Sequence, residues 1–199
     1  MKRTRRTWLL PFLLLWCVTV PHLGQGDYGR DTGRYAAVGH FMWEGRHPWV
    51  PWLNPETPCF NKPPLALMLH GAFLRTFGVH LAVARFPSIL AALGVVGLTM
   101  LIIVREIGSR REALASGLVL ASTYEFFRRT REISLDFWQL FFLMAAAYLA
   151  ITALRRDRRS RLVLAGIPIG LTLLCKPLVG LIVIPIFGIS IVLARRLPR

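Results

Sequence analysis

The sequence predicts an all-α, polytopic membrane protein with about six spans and short interfacial helices in its first outer loop. Three observations predict it. Hydrophobic residues make up 54% of the 199 positions and mean hydropathy is +0.50, too apolar for an ordinary soluble domain. The arginines cluster at the ends of apolar runs rather than inside them. About 60 residues separate the first apolar stretch, 8–20, from the next long one, 81–104, and they hold most of the polar motifs. The net charge of +15 would suggest nucleic acid in a soluble chain. Here the bases flank apolar runs as topology signals do, and no basic patch is interleaved with aromatics, so nucleic acid is not an expected partner.

The first span, 7–23, follows Lys2, Arg3, Arg5 and Arg6, and Pro21 and Gly24 end it. Positions 21–26 lack a small-x-small cleavage pattern, so the segment reads as a retained anchor and not a signal peptide. In the outer loop, about 24–82, Tyr35, Ala36, Val38, Phe41 and Met42 fall near one helical face, which predicts a short amphipathic surface helix with Asp31 or Thr32 as its cap. Trp43, Trp49 and Trp52 read as interface anchors, with stacking on a sugar face as the other reading. Asn54-Pro55-Glu56-Thr57-Pro58 reads as turns. Lys62-Pro63-Pro64 opens a second apolar helix, 65–77, with proline in its first turn. A lysine beside a helix start suits an anion, although a lysine snorkelling to headgroups is the plainer alternative.

The later spans are read at 83–104, 111–127, 133–154, 161–175 and 177–194, since roughly 20 residues cross the hydrocarbon. With the N-terminus in the cytoplasm, segments 1–6, 105–112, 155–161 and 195–199 carry fifteen bases and three acids, a net +12. The opposite side carries ten bases and seven acids, a net +3. The positive-inside rule then puts both ends of this chain in the cytoplasm and Asp31, Lys62, Asp136 and Lys176 outside. Arg128, Arg129 and Arg131 oppose the rule, so they need acidic partners (Glu125, Glu132, Asp136) or an anionic ligand. Ser134-Leu135-Asp136 begins the fourth span. Asp31 and Asp136 share a side of the bilayer, where one carboxylate could serve as a base and the other orient it or hold a metal. Cys175-Lys176-Pro177 reads as a tight outer connection. Cys17 and Cys175 fall in apolar segments and Cys59 in the loop, so all three are expected as free thiols, and no Cys/His spacing suggests a structural zinc site.

In order, the chain carries Asp31-x-x-Arg34-Tyr35-Ala36, Lys62-Pro63-Pro64-Leu65, Ala84-Arg85-Phe86-Pro87-Ser88, Ser134-Leu135-Asp136-Phe137 and Leu174-Cys175-Lys176-Pro177-Leu178-Val179-Gly180. This series resembles the N-terminal part of GT-C membrane glycosyltransferases, in particular bacterial lipid A aminoarabinose transferases and their relatives, the dolichyl-phosphate-mannose protein O-mannosyltransferases. The resemblance covers nearly all of the chain. It implies an inverting transferase that moves a sugar from a polyprenyl-phosphate donor to a lipid or protein acceptor at the periplasmic face of a bacterial inner membrane. Asp31 maps onto the catalytic carboxylate, Arg34 and Lys62 onto contacts to the carrier phosphate, and Asp136 onto a second catalytic position that positions the acceptor or holds a metal. Lys176 is a third candidate for the phosphate, and Tyr35, Arg85 and Arg131 are candidates for supporting roles. Asp31 and Asp136 are also the candidate ligands of a divalent metal ion. Thr32 and Asn61 stand where the family often has acids, which leaves fewer carboxylates for such an ion. Family members are longer, so residues 1–199 correspond to an N-terminal portion with the C-terminal half missing. The alternative reading is a truncated or degenerate chain that binds polyprenyl phosphate without catalysis. No repeated span pattern suggests a transporter.

Overall fold

The computed structural model describes residues 7–26, 30–44, 48–54, 56–155 and 159–178, and seven positions between 181 and 192. The span expected over 177–194 therefore lies mostly outside the described residues. Helices dominate, in the order α1 (Leu10–Thr19), α2 (Arg30–Glu44), α3 (Pro64–Phe77), α4 (Leu81–Ile107), α5 (Arg110–Ser122), α6 (Tyr124–Thr130), α7 (Leu135–Arg155) and α8 (Arg159–Leu173). A 3-10 turn over Val20–His22 extends α1. Among the described residues, two helices are long and apolar enough to cross a bilayer, Leu81–Ile107 and Leu135–Leu154, while Leu10–His22 and Leu162–Leu173 are shorter apolar helices.

Helix ends follow local chemistry. Gly108, at φ 75°, closes α4 in the left-handed conformation that a side chain would strain. Ser109 then caps α5 by accepting from the Glu112 N–H at 3.3 Å. Pro64 starts α3, where its missing N–H costs no helical bond. The span read over 111–127 is instead two helices, because Thr123 is extended (φ −67°, ψ 123°) and its hydroxyl donates back to the Val119 carbonyl at 2.8 Å. Such side-chain bonds compete with the helical ladder.

Among the described residues, two of three apolar clusters carry most of the buried side chains. One joins α1, α4, α5 and α7 through Leu15, Val95, Val96, Met100, Ala113 and Phe137. Alanines on α4 (Ala91, Ala92) let neighbouring helices approach closely, as membrane helix pairs favour. The other joins α2, α3 and α7 through Val38, Met42, Leu65, Leu67 and Leu135, together with Cys59 and Cys175. The apolar face of α2 is thus covered by α3. Between them β1 (Trp52–Asn54) and β2 (Thr57–Pro58) form a small antiparallel hairpin, with Trp52 opposite Pro58 and Asn54 opposite Thr57. The Asn54 side chain accepts from the Glu56 and Thr57 N–H groups at 3.0 and 2.8 Å, which makes the turn read from this sequence. All three cysteines are free thiols.

The α2–α3 crossing depends on two glycines. A Cβ at Gly39 would stand 2.8 Å from the Leu67 carbonyl oxygen, and one at Gly71 would overlap the Gly39 carbonyl. Gly71→Ala is expected to destabilise the outer region by about 1–3 kcal/mol, the cost of forcing extra volume into a packed contact. Gly166→Ala, with open space around its Cβ, is the control. Thermal unfolding of the two variants in detergent checks it, and equal melting temperatures would refute the close crossing.

Candidate active site

The first turns of α4 brace the site. His70 on α3 is fully buried and its Nδ1 donates to the Ala84 carbonyl at 2.8 Å. Arg85, 7% exposed, donates through Nη1 to the carbonyls of Leu23 and Gln25 at 2.9 and 2.8 Å. Ser88, fully buried, donates to the Glu132 carbonyl at 2.8 Å and accepts from the Ser134 N–H at 2.9 Å. One stretch of helix therefore fixes α3, the segment leading toward α2, and the turn that starts α7. These Arg85 bonds to main-chain carbonyls hold the frame.

Asp31 and Asp136 start the two braced helices. Helix α2 begins at Arg30, so Asp31 lies inside its first turn and Thr32 is buried behind it; neither is the cap that the sequence suggested. A carboxylate in a first turn still faces the positive end of the helix dipole. Asp136 occupies the first turn of α7. Both line one cavity of about 310 Å³ with Tyr35, Arg129, Glu132, Ser134 and Lys176. Burial, then the Asp31 carboxylate, raises the Tyr35 phenol above its usual value, so it stays protonated and able to donate.

Lys176 donates to the Asp136 carboxylate as an ion pair across the cavity. It also lines a second cavity, of about 580 Å³, with Lys62, Asn61, Pro63, Pro64, Trp49 and Phe60. The Leu65 N–H donates to the Leu174 carbonyl at 3.3 Å, so a main-chain bond ties the Lys62 segment to the Lys176 segment. Arg34 points toward the same region: its Nη2 donates to Cys59 Sγ at 3.5 Å, and the thiol donates to Asn61 Oδ1 at 3.3 Å. Trp49 and Phe60 are exposed, at 62% and 76%, and form an aromatic wall beside the two lysines. The sequence reading did not single out Phe60, although it directly precedes Asn61-Lys62.

Arg128 and Arg129 find acids, one of the two kinds of partner that the charge pattern left open. Arg128 donates to Glu125 at 2.6 and 2.8 Å and to Glu132 at 2.8 Å, and Arg129 donates to Glu125 at 2.9 Å. Arg128 and Arg129 hold the Glu125 carboxyl down to about 2. Arg131 stands apart from this network, with its guanidinium carbon 5.8 Å from the Phe127 ring centre.

A divalent ion at Asp31 and Asp136 meets a poor donor set. Among the described residues no group of three or more His, Cys, Asp or Glu side chains could hold a metal. The Lys176 ammonium takes the position beside Asp136 that a cation would need.

Residues 61–199 match the family described as dolichyl-phosphate-mannose-protein mannosyltransferase. The chain belongs to this family. It is a membrane protein of the GT-C class, and the family is one of glycosyltransferases that draw on a polyprenyl-phosphate sugar. Lys62, Asp136 and Lys176 lie inside the matched stretch, whereas Asp31 and Arg34 precede it. No curated protein and no solved structure matches the chain.

Two measurements test the brace in this mannosyltransferase-family chain. Ser88→Ala leaves a buried N–H and carbonyl unpaired and is expected to cost about 1–3 kcal/mol in unfolding stability. Burial lowers the His70 pKa from its ordinary 6.5 to about 4. Between those values the unfolded chain binds a proton that the folded chain refuses, so the His70 contribution is full above about pH 6.5 and falls as pH drops toward 4. His70→Gln should flatten that part of the stability–pH curve; an unchanged slope would contradict a neutral, buried ring.

Proposed function

We propose that this chain is the donor-binding and catalytic part of an inverting glycosyltransferase, acting on a lipid or protein hydroxyl at the periplasmic face of a bacterial inner membrane. The observation that carries the reading is the sharing of Lys176 between two adjoining cavities, one holding Lys62 and the other holding Asp31 and Asp136. Cations on one side and carboxylates on the other suit a reaction in which a phosphate leaves as a hydroxyl attacks. The excess of bases on the opposite side supports the periplasmic assignment.

In this reading the carrier phosphate enters the cavity of Lys62 and Lys176, with Arg34 as a third cation at its edge. These groups stabilise the negative charge that grows on the phosphate oxygen as the bond to the anomeric carbon breaks. The acceptor hydroxyl approaches from the carboxylate cavity, and Asp31 removes its proton as the new carbon–oxygen bond forms. A single displacement from the face opposite the leaving phosphate inverts the anomeric centre. The neutral Tyr35 hydroxyl donates to the sugar or the acceptor and steadies Asp31. The aromatic wall of Trp49 and Phe60 offers an apolar face to a sugar ring or to the first isoprene units. The apolar helices hold the carrier tail in the bilayer, so the phosphate arrives at the interface by default.

The test is transfer from a radiolabelled polyprenyl-phosphate sugar in membranes carrying the full-length gene product. Asp31→Asn is expected to lower kcat by at least about a hundredfold with the fold intact, the usual weight of a general base. Lys62→Ala and Arg34→Ala are expected to raise the donor KM by about tenfold each, the loss of one charge-assisted contact. Wild-type turnover in Asp31→Asn would remove Asp31 from the chemistry, and unchanged donor KM in both cation variants would defeat the phosphate pocket.

A further inference from the structure

Lys176 has one ammonium and two uses for it. The group donates to Asp136 on the carboxylate side, and it also borders the cavity that contains Lys62. Its backbone is fixed: the Lys176 N–H donates to the Thr172 carbonyl at 3.0 Å, and the neighbouring Leu174 carbonyl is bound by Leu65. Only the flexible four-carbon side chain is left to choose a partner. Asp136 is 53% exposed in this pair and Lys176 32%. Water screens an ion pair that open, so it is easily given up. A phosphate beside Lys62 competes for the ammonium, because the carrier phosphodiester brings a full negative charge and two unesterified acceptor oxygens into a site that already holds a cation.

Given the polyprenyl-phosphate donor proposed above, we infer that Lys176 is a two-position lysine that couples donor binding to the release of Asp136. In the free protein it rests on Asp136. When the carrier phosphate arrives, the ammonium turns to it and N–H donation passes from carboxylate oxygen to phosphate oxygen; no covalent bond changes. Asp136, relieved of its partner, then accepts a hydrogen bond from the acceptor hydroxyl and orients it toward Asp31. Acceptor capture therefore follows donor binding, which keeps an acceptor from occupying the cavity before there is a sugar to receive. Asp136 is a positioning residue in this scheme, and the Lys176–Asp136 pair is the resting lock.

The experiment is equilibrium binding of a sugar-free polyprenyl phosphate, so that turnover does not enter, to the full chain in nanodiscs. Four proteins are compared: wild type, Asp136→Asn, Lys176→Gln and the double variant. Asp136→Asn is expected to bind the probe about threefold tighter, since Lys176 no longer leaves a charged partner to reach the phosphate. Lys176→Gln is expected to bind more weakly, and the double variant no more tightly than Lys176→Gln. Tightening that persists in the double variant would make Asp136 a simple repulsive charge and overturn the lock. Unchanged or weaker binding in Asp136→Asn would overturn it as well, and Asp136→Ser repeats the comparison should the amide variant not fold. Failure of the donor reading looks different: wild type and Lys62→Ala would then bind the probe equally poorly, whatever stands at position 136.

Discussion

Everything around the two aspartates hangs on the first turns of α4. Among the described residues, His70, Arg85 and Ser88 form hydrogen bonds that connect this stretch to α3, to residues 23–25 and to residues 132–134. Burial makes these contacts compelling. A buried polar group without a partner costs more than a formed bond gains, so each of these side chains is committed once the apolar clusters close. The two carboxylates need no direct link between them. Each begins a helix whose preceding segment is tied to α4, and their convergence in one cavity follows from that common anchor.

Much of this arrangement was legible in the sequence. Long apolar runs fixed α4 and α7, and Lys62-Pro63-Pro64 marked the start of α3 because proline has one unstrained place in a helix. The charge pattern said that Arg128 and Arg129 need acidic partners or an anionic ligand; the structure gives them Glu125 and Glu132 at i, i+3 and i, i+4 spacing. What stayed hidden were contacts between distant segments. Nothing local to Arg85 says that its guanidinium serves the carbonyls of Leu23 and Gln25. Nothing near Gly39 announces Gly71, since the need for two missing side chains arises only when α2 and α3 cross. The start of α2 was displaced for a related reason: Thr32 looks like a cap until the packing buries it inside the first turn. Arg131 was grouped with its neighbours by sequence, yet one helical step turned it onto Phe127.

The proposed donor pocket has a charge distribution that suits a lipid carrier. Its cations are few, and one of them is shared between two cavities. A soluble enzyme must gather a charged ligand from bulk water, whereas a lipid-borne phosphate is delivered to the interface by its tail. Modest attraction is then sufficient, and a lysine that is only loosely held elsewhere can contribute to it. The aromatic wall next to Lys62 fits that setting, as it offers apolar surface where the ligand changes from polar head to hydrocarbon.

The bond from the Leu65 amide to the Leu174 carbonyl bears on how such an enzyme can change over time. Side chains around the lysines are open to replacement, but the gauge between the two ammonium-bearing segments is written in peptide groups that every residue except proline supplies in the same form. In the proposed donor pocket, drift at the walls can therefore retune which head group is admitted while the spacing of the two lysine segments is kept.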